Sequence, residues 1–277
     1  MLGKVLKYDI LADYKKYLVV FAGLLISSIF LGVSNATNHD GLVNREYNAV
    51  INMLVVSMFI IFTVLLSAAL VMVFAISTSR FYKNLMKDEG YLHHTLPVPT
   101  WQLILSKLLS AYIWYFVLAF VVAVCASVIS RDPFLIFNFF ASFKTELTAN
   151  LGAEAEGVMA FFRYTMGYVL LAPFIVLSQV YFSLSIGNLS NKNKLGVSVL
   201  VFFGLYIVQQ IVGTIFAAAF FVNNKFLFEE VAYDVGSAEV FAAFDPMLIG
   251  SYALISVFSI TCYVLANYIF TKRLNLE

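Results

Sequence analysis

Six stretches of this chain run almost free of charge: residues 17–34, 49–78, 103–130, 164–187, 195–222 and 247–270. Each is near or above the ~20 mostly apolar residues that a membrane-crossing helix needs. The second and third are long enough to tilt or to reach beyond a bilayer. Before the first span the pattern changes. Leu2, Val5, Leu6, Ile10 and Tyr14 recur at helical spacing, while Lys4, Lys7, Asp9 and Lys15 fall elsewhere on the wheel. That spacing predicts a short amphipathic helix over 1–16, lying on a membrane face, followed by a six-span body over 17–277. The fold class read from the pattern is an all-α membrane protein.

Composition agrees. Of 277 residues, 62% are hydrophobic and 12% charged, with a mean hydropathy of +0.90. A soluble domain is nearer ~45–50% apolar and ~25% charged. The basic start, the run Tyr17 to Val33 and then Ser34-Asn35-Ala36 mimic a secretory leader. The apolar run is long for a leader and more spans follow, so it reads as an uncleaved first span.

Charge distribution orients the chain. The side holding the N-terminus carries Lys4, Lys7, Lys15, Lys16, Arg80, Lys83, Lys87, Lys107, Lys192, Lys194, Lys272 and Arg273; the other side carries Arg45, Arg131, Lys144, Arg163 and Lys225. The positive-inside rule makes the first side cytoplasmic and places both termini there. The two larger loops on the opposite side, 131–163 and 223–246, mix phenylalanines with acids. Both are expected to fold back onto the outer interface.

The segment "KDEGYLHHTLPVP", Lys87 to Pro99, joins the second and third spans. From Arg80 to Glu89 the pattern is helical, with Phe81, Tyr82 and Leu85 on one face. Gly90 sits where a C-terminal cap belongs, Tyr91 to Leu96 reads as extended, and Pro97 and Pro99 forbid more helix. Thr100 suits the N-cap of the next helix, with Trp101 at the interface. Such an element is either a docking surface for a cytoplasmic partner or an ordinary connector.

The wording of this run resembles bacterial ABC-2-type transporter permeases. It is carried by Asp88, Glu89, Gly90, Tyr91, Leu92, Thr95, Leu96, Pro97 and Val98, then Ile104, Leu105, Ser106, Lys107 and Leu108. The resemblance implies a coupling helix between spans two and three that docks on a separate cytoplasmic ATP-binding-cassette ATPase subunit. It assigns that interface to Phe81, Tyr82, Leu85, Asp88, Glu89, Gly90, Tyr91, Leu92, Leu96 and Pro97. It further implies a second permease copy (identical or a close paralogue), a multi-pass protein of the bacterial cytoplasmic membrane, and an exporter for an amphipathic peptide or drug-like molecule. ATP and magnesium would sit on the partner ATPase, with no cofactor on this chain. The second and fifth spans would flank the substrate path, so Asn52, Gln209 and Gln210 are its candidates; ordinary interhelical hydrogen bonding is the other reading of these groups.

No GxxxxGK[ST] string occurs, so ATP binding through a P-loop is not expected here. His93-His94 lacks metal-ligand spacing, and His39 lies on the opposite side. Cys125 and Cys262, both inside apolar runs, form no metal or disulfide framework. Ser183-Leu184-Ser185-Ile186-Gly187 lacks the first glycine and the strand–helix context of a nucleophile elbow. No nucleic-acid partner is expected. Intramembrane carboxylate pairs and proton relays are not evident, which disfavours an intramembrane protease or a secondary transporter. An immunity or sensor component acting without ATP remains the alternative to the exporter.

Overall fold

The computed structural model describes residues 2–39, 45–86, 98–152, 155–190, 193–223 and 237–272. Among these the chain is all helix: α1 (Leu2–His39), α2 (Arg45–Met86), α3 (Thr100–Ser130), α4 (Leu135–Leu151), α5 (Ala155–Gly187), α6 (Lys194–Asn223) and α7 (Ser237–Lys272). Six stretches of it are long and apolar enough to cross a membrane: Leu2–Ser34, Met53–Asn84, Thr100–Ser130, Gly157–Gly187, Lys194–Asn223 and Asp245–Lys272. Within hydrocarbon a backbone must satisfy its own polar groups, and a helix does so within one segment. The 42 residues of α2 extend about 63 Å at 1.5 Å per residue, twice the ~30 Å hydrocarbon depth.

Two differences from the sequence reading stand out. Residues 2–16, expected as a separate helix, are the opening turns of α1, which runs unbroken to His39. No proline lies in that stretch, and the Asp13–Lys16 pair at 2.9 Å spans Tyr14 and Lys15 within the helix. The buried stripe of this segment is also not the apolar one. It begins with Asp9 and Asp13 and continues through Tyr17, Phe21 and Leu24, whereas Tyr8 and Tyr14 are exposed. The second difference is α4, a helix inside the loop expected over 131–163. Asp132 starts it: one carboxylate oxygen accepts from the Phe134 amide at 2.9 Å and the other from the Asn138 side chain at 2.7 Å. Pro133 follows that cap, where its missing N–H costs nothing.

The chain divides into two compact units. One comprises Met1–Ser79 and Leu105–Ala141, the other Arg80–Ile104 and Ser142–Glu277. In the first, Tyr17, Phe21 and Leu24 of α1 meet Ala69 and Val73 of α2 and Leu118 and Cys125 of α3. The Tyr17 ring stacks on Trp114 at 4.2 Å. At the far end of this contact α1 and α3 approach so closely that a Cβ on Gly32 would lie 2.7 Å from the Val128 carbonyl oxygen.

In the second unit α5 is the hub. It packs on both α6 and α7, and 56% of its most apolar window is buried, against 6% for α6. The α5–α6 turn is tight: a Cβ on Gly187 would collide with Ser198 and stand 2.5 Å from the Lys194 carbonyl oxygen. Buried serines recur through both units. Ser27, Ser28, Ser77, Ser178, Ser183, Ser185 and Ser259 each donate to a carbonyl one turn back in their own helix. They serve as small packing residues whose hydroxyl is satisfied within its own helix; Ser28 in addition meets the Cys125 thiol of α3.

Candidate functional site

Two places collect polar groups inside apolar surroundings. The first lies in the second unit, midway along the helices. Gln179 of α5 is 4% exposed, and its amide donates to the Gln209 side-chain oxygen of α6 at 2.5 Å. An isolated amide in such a site would cost several kcal/mol in desolvation, on the order of 2–7, so the pairing ties α5 to α6. Beside it is a cavity of about 170 Å³ lined by Tyr168 of α5, Gln209, Gln210, Val212, Gly213 and Phe216 of α6, and Ser251, Leu254, Ile255 and Phe258 of α7. Gly213 leaves the wall open on α6, and Gly250 of α7 lets the Phe216 ring lie directly on its backbone. The lining therefore combines two amides, a tyrosine and a serine with aliphatic and aromatic carbon. That lining suits a molecule with both apolar and hydrogen-bonding groups.

Of the expected path residues, Gln209 and Gln210 share this cavity. Asn52 lies on α2, in the other unit, and its side chain is outside the described residues. Gln179, which is not among the expected path residues, is the partner that fixes Gln209.

The second place is in the first unit, where the early turns of α1 and α3 meet. Lys107, two turns into α3, forms an ion pair with Asp9 of α1, with side-chain exposures of 2% and 6%. Ser106 donates to the other Asp9 oxygen at 2.9 Å. A carboxylate and an ammonium without water are expensive unless paired and hydrogen-bonded, and both conditions are met. Sequence reasoning missed this pair. The signal was there: Lys107 is the one charge inside the third apolar run, and Asp9 interrupts the first helix on the same side. Periodicity shows a residue's face but not its partner.

The expected coupling segment is described only at its edges. Arg80–Met86 is helical, as the last two turns of α2 and not as a separate element. Phe81, expected on the docking face, is fully buried. Its ring stacks on Tyr181 of α5 at 3.8 Å and meets the edge of Phe270 of α7 at 5.5 Å. Tyr82 is half-buried and Lys83 exposed. The Leu85 side chain, and Asp88, Glu89, Gly90, Tyr91, Leu92, Leu96 and Pro97, lie outside the described residues, as do His93 and His94. On the far side, the Pro99 carbonyl accepts from the Gln102 amide at 2.9 Å as α3 begins, and the Tyr263 hydroxyl donates to the Trp101 carbonyl at 3.1 Å.

The Ser183–Gly187 string is helix interior, with Ser183 and Ser185 donating to Val180 and Tyr181 carbonyls. Among the described residues no three metal-binding side chains gather. No family model matches the chain, and no curated protein or solved structure matches it.

Proposed function

We infer that this chain is the membrane-spanning subunit of an ATP-binding-cassette exporter of the bacterial cytoplasmic membrane. It acts as a half-permease that pairs with a second copy and docks separate ATPase subunits through residues 80–98, with both termini cytoplasmic. The observation that carries the reading is the placement of the "DEGYLHHTLPV" wording. It joins two spanning helices on the end richest in basic residues, and its continuation "ILSKLL" supplies both Ser106 and Lys107 to the buried pair with Asp9. The segment that would receive force from an ATPase thus runs into a helix bolted to α1 within its first two turns. Phe81, packed on Tyr181 and Phe270, gives the other edge of the segment a rigid root in the second unit.

The cavity at Gln209 and Gln210 supports an amphipathic peptide or drug-like substrate, since its lining mixes amide and hydroxyl groups with apolar carbon.

The test is purification of the tagged chain in mild detergent from its native cells, with identification of what accompanies it and an assay of ATP hydrolysis. The same is done for a variant with Asp88, Glu89 and Tyr91 changed to alanine. An ATPase that accompanies the parent chain and is lost from the variant is the expected result. No ATPase with the parent chain, under conditions that keep complexes intact, sinks the exporter reading in favour of an immunity or sensor component.

A further inference from the structure

The first unit carries a groove that the exporter reading does not use. It lies where α3 ends and α4 begins, encloses about 540 Å³, and is lined along α3 by Phe120, Val124 and Val128 and from α4 by Ile136 and Phe137, with Arg131 at its mouth. A volume of this size is in the range of small-molecule sites, ~300–1,000 Å³. Phe120, Val124 and Val128 are four residues apart, so they form one stripe on α3. From Phe120 to Arg131 the stripe runs about 16 Å at 1.5 Å per residue. That is the hydrocarbon depth of one leaflet, about 15 Å.

The charge at the mouth is set up by the backbone. Arg131 ends α3 with φ of 60°, a left-handed conformation rare for a side chain of this size. The next residue, Asp132, turns its carboxylate to the start of α4, accepting from the Phe134 amide and the Asn138 side chain. Among the described residues no carboxylate lies within ion-pair distance of Arg131. Among the described residues the Arg131 guanidinium thus has no ion-pair partner, and it lines the same groove as the apolar stripe of α3. Phe120 at 70% and Phe137 at 77% exposure border that groove.

We propose that this groove is a binding site for an anionic phospholipid of the leaflet opposite the N-terminus, with an acyl chain along Phe120, Val124 and Val128 and the phosphate on Arg131. A guanidinium fork matches phosphate oxygens, and the aromatic borders suit an acyl chain.

The full chain is reconstituted in nanodiscs containing a photoactivatable diazirine-acyl phosphatidylglycerol or the matching phosphatidylcholine, illuminated and digested. Adducts are mapped by mass spectrometry. Labelling within residues 120–137 is expected to be greater with phosphatidylglycerol by roughly fivefold, the factor one basic residue near a membrane surface contributes. Arg131→Asn, which keeps a residue tolerant of the left-handed turn, is expected to erase that preference, and Arg131→Lys to retain most of it. Equal labelling by the two lipids in the parent chain overturns the proposal without reference to any variant. So does an unchanged preference in Arg131→Asn. Excess inorganic phosphate is expected to leave labelling unaltered; if phosphate alone abolishes it, the site binds a free anion and the lipid assignment fails.

Discussion

Lys107 and Asp9 show how much one side chain depends on another when neither reaches water. Removing Lys107 alone leaves a carboxylate in a dry site, so Lys107→Met is expected to destabilise the chain by about 3–5 kcal/mol. The double change Asp9→Asn with Lys107→Met is expected to recover more than half of that loss. Denaturation in mixed micelles, followed by far-ultraviolet circular dichroism, measures both; equal damage from single and double variants would show that the pair is not the source of stability. The Gln179–Gln209 contact belongs to the same scale but is weaker. A double-mutant cycle with leucine at each position is expected to give a coupling of about 0.6–2 kcal/mol. Gln210 does not share that bond, so Gln209→Leu with Gln210→Leu tests the cavity separately. Its expected outcome is a changed pattern of exported substrates in chains that still reach the membrane, and unaltered transport and selectivity would dismiss the cavity as part of the path.

At the scale of whole helices, small residues decide how close two rods come. Gly32→Leu is expected to push α1 from α3, because even the first carbon would press on the Val128 carbonyl oxygen. Overpacking of this kind costs about 1–3 kcal/mol. It should appear as faster cleavage by protease in detergent, whereas Gly23→Leu, at an open position, should leave cleavage near the parent rate. The six spans were legible because a bilayer demands one crude property, a sustained apolar run, and the sequence displays it without reference to neighbours. The helix of Leu135–Leu151 was not, since its phenylalanine-rich start reads equally as an interfacial loop and its start depends on Asp132 capping across a turn. The join at residue 16 was misplaced for a related reason. Amphipathic spacing before Tyr17 suggests a change of direction, yet no residue there breaks the helix. Gln209 and Gln210 were recognised as polar groups in a span, but that Gln179 and not Asn52 accompanies Gln209 follows from how α5 and α6 pack, which one sequence does not display.

For the molecule as a whole, the charge asymmetry carries a topological expectation. A reporter active only outside the cell, fused after Asn223, should be active, and the same reporter fused after Glu277 should be silent. The reverse pattern would turn the whole assignment over, and with it the cytoplasmic position of Lys87–Pro99. The buried serines have one more consequence at this scale. Their hydroxyls are bonded to carbonyls of their own helices, so apart from Ser28, whose hydroxyl also meets the Cys125 thiol of α3, these groups leave the contact between helices to shape. Among the described residues the directional ties between helices are instead concentrated at a few points, which include Asp9 with Lys107 and Ser106, Gln179 with Gln209, Tyr252 with the Tyr164 carbonyl and Tyr263 with the Trp101 carbonyl.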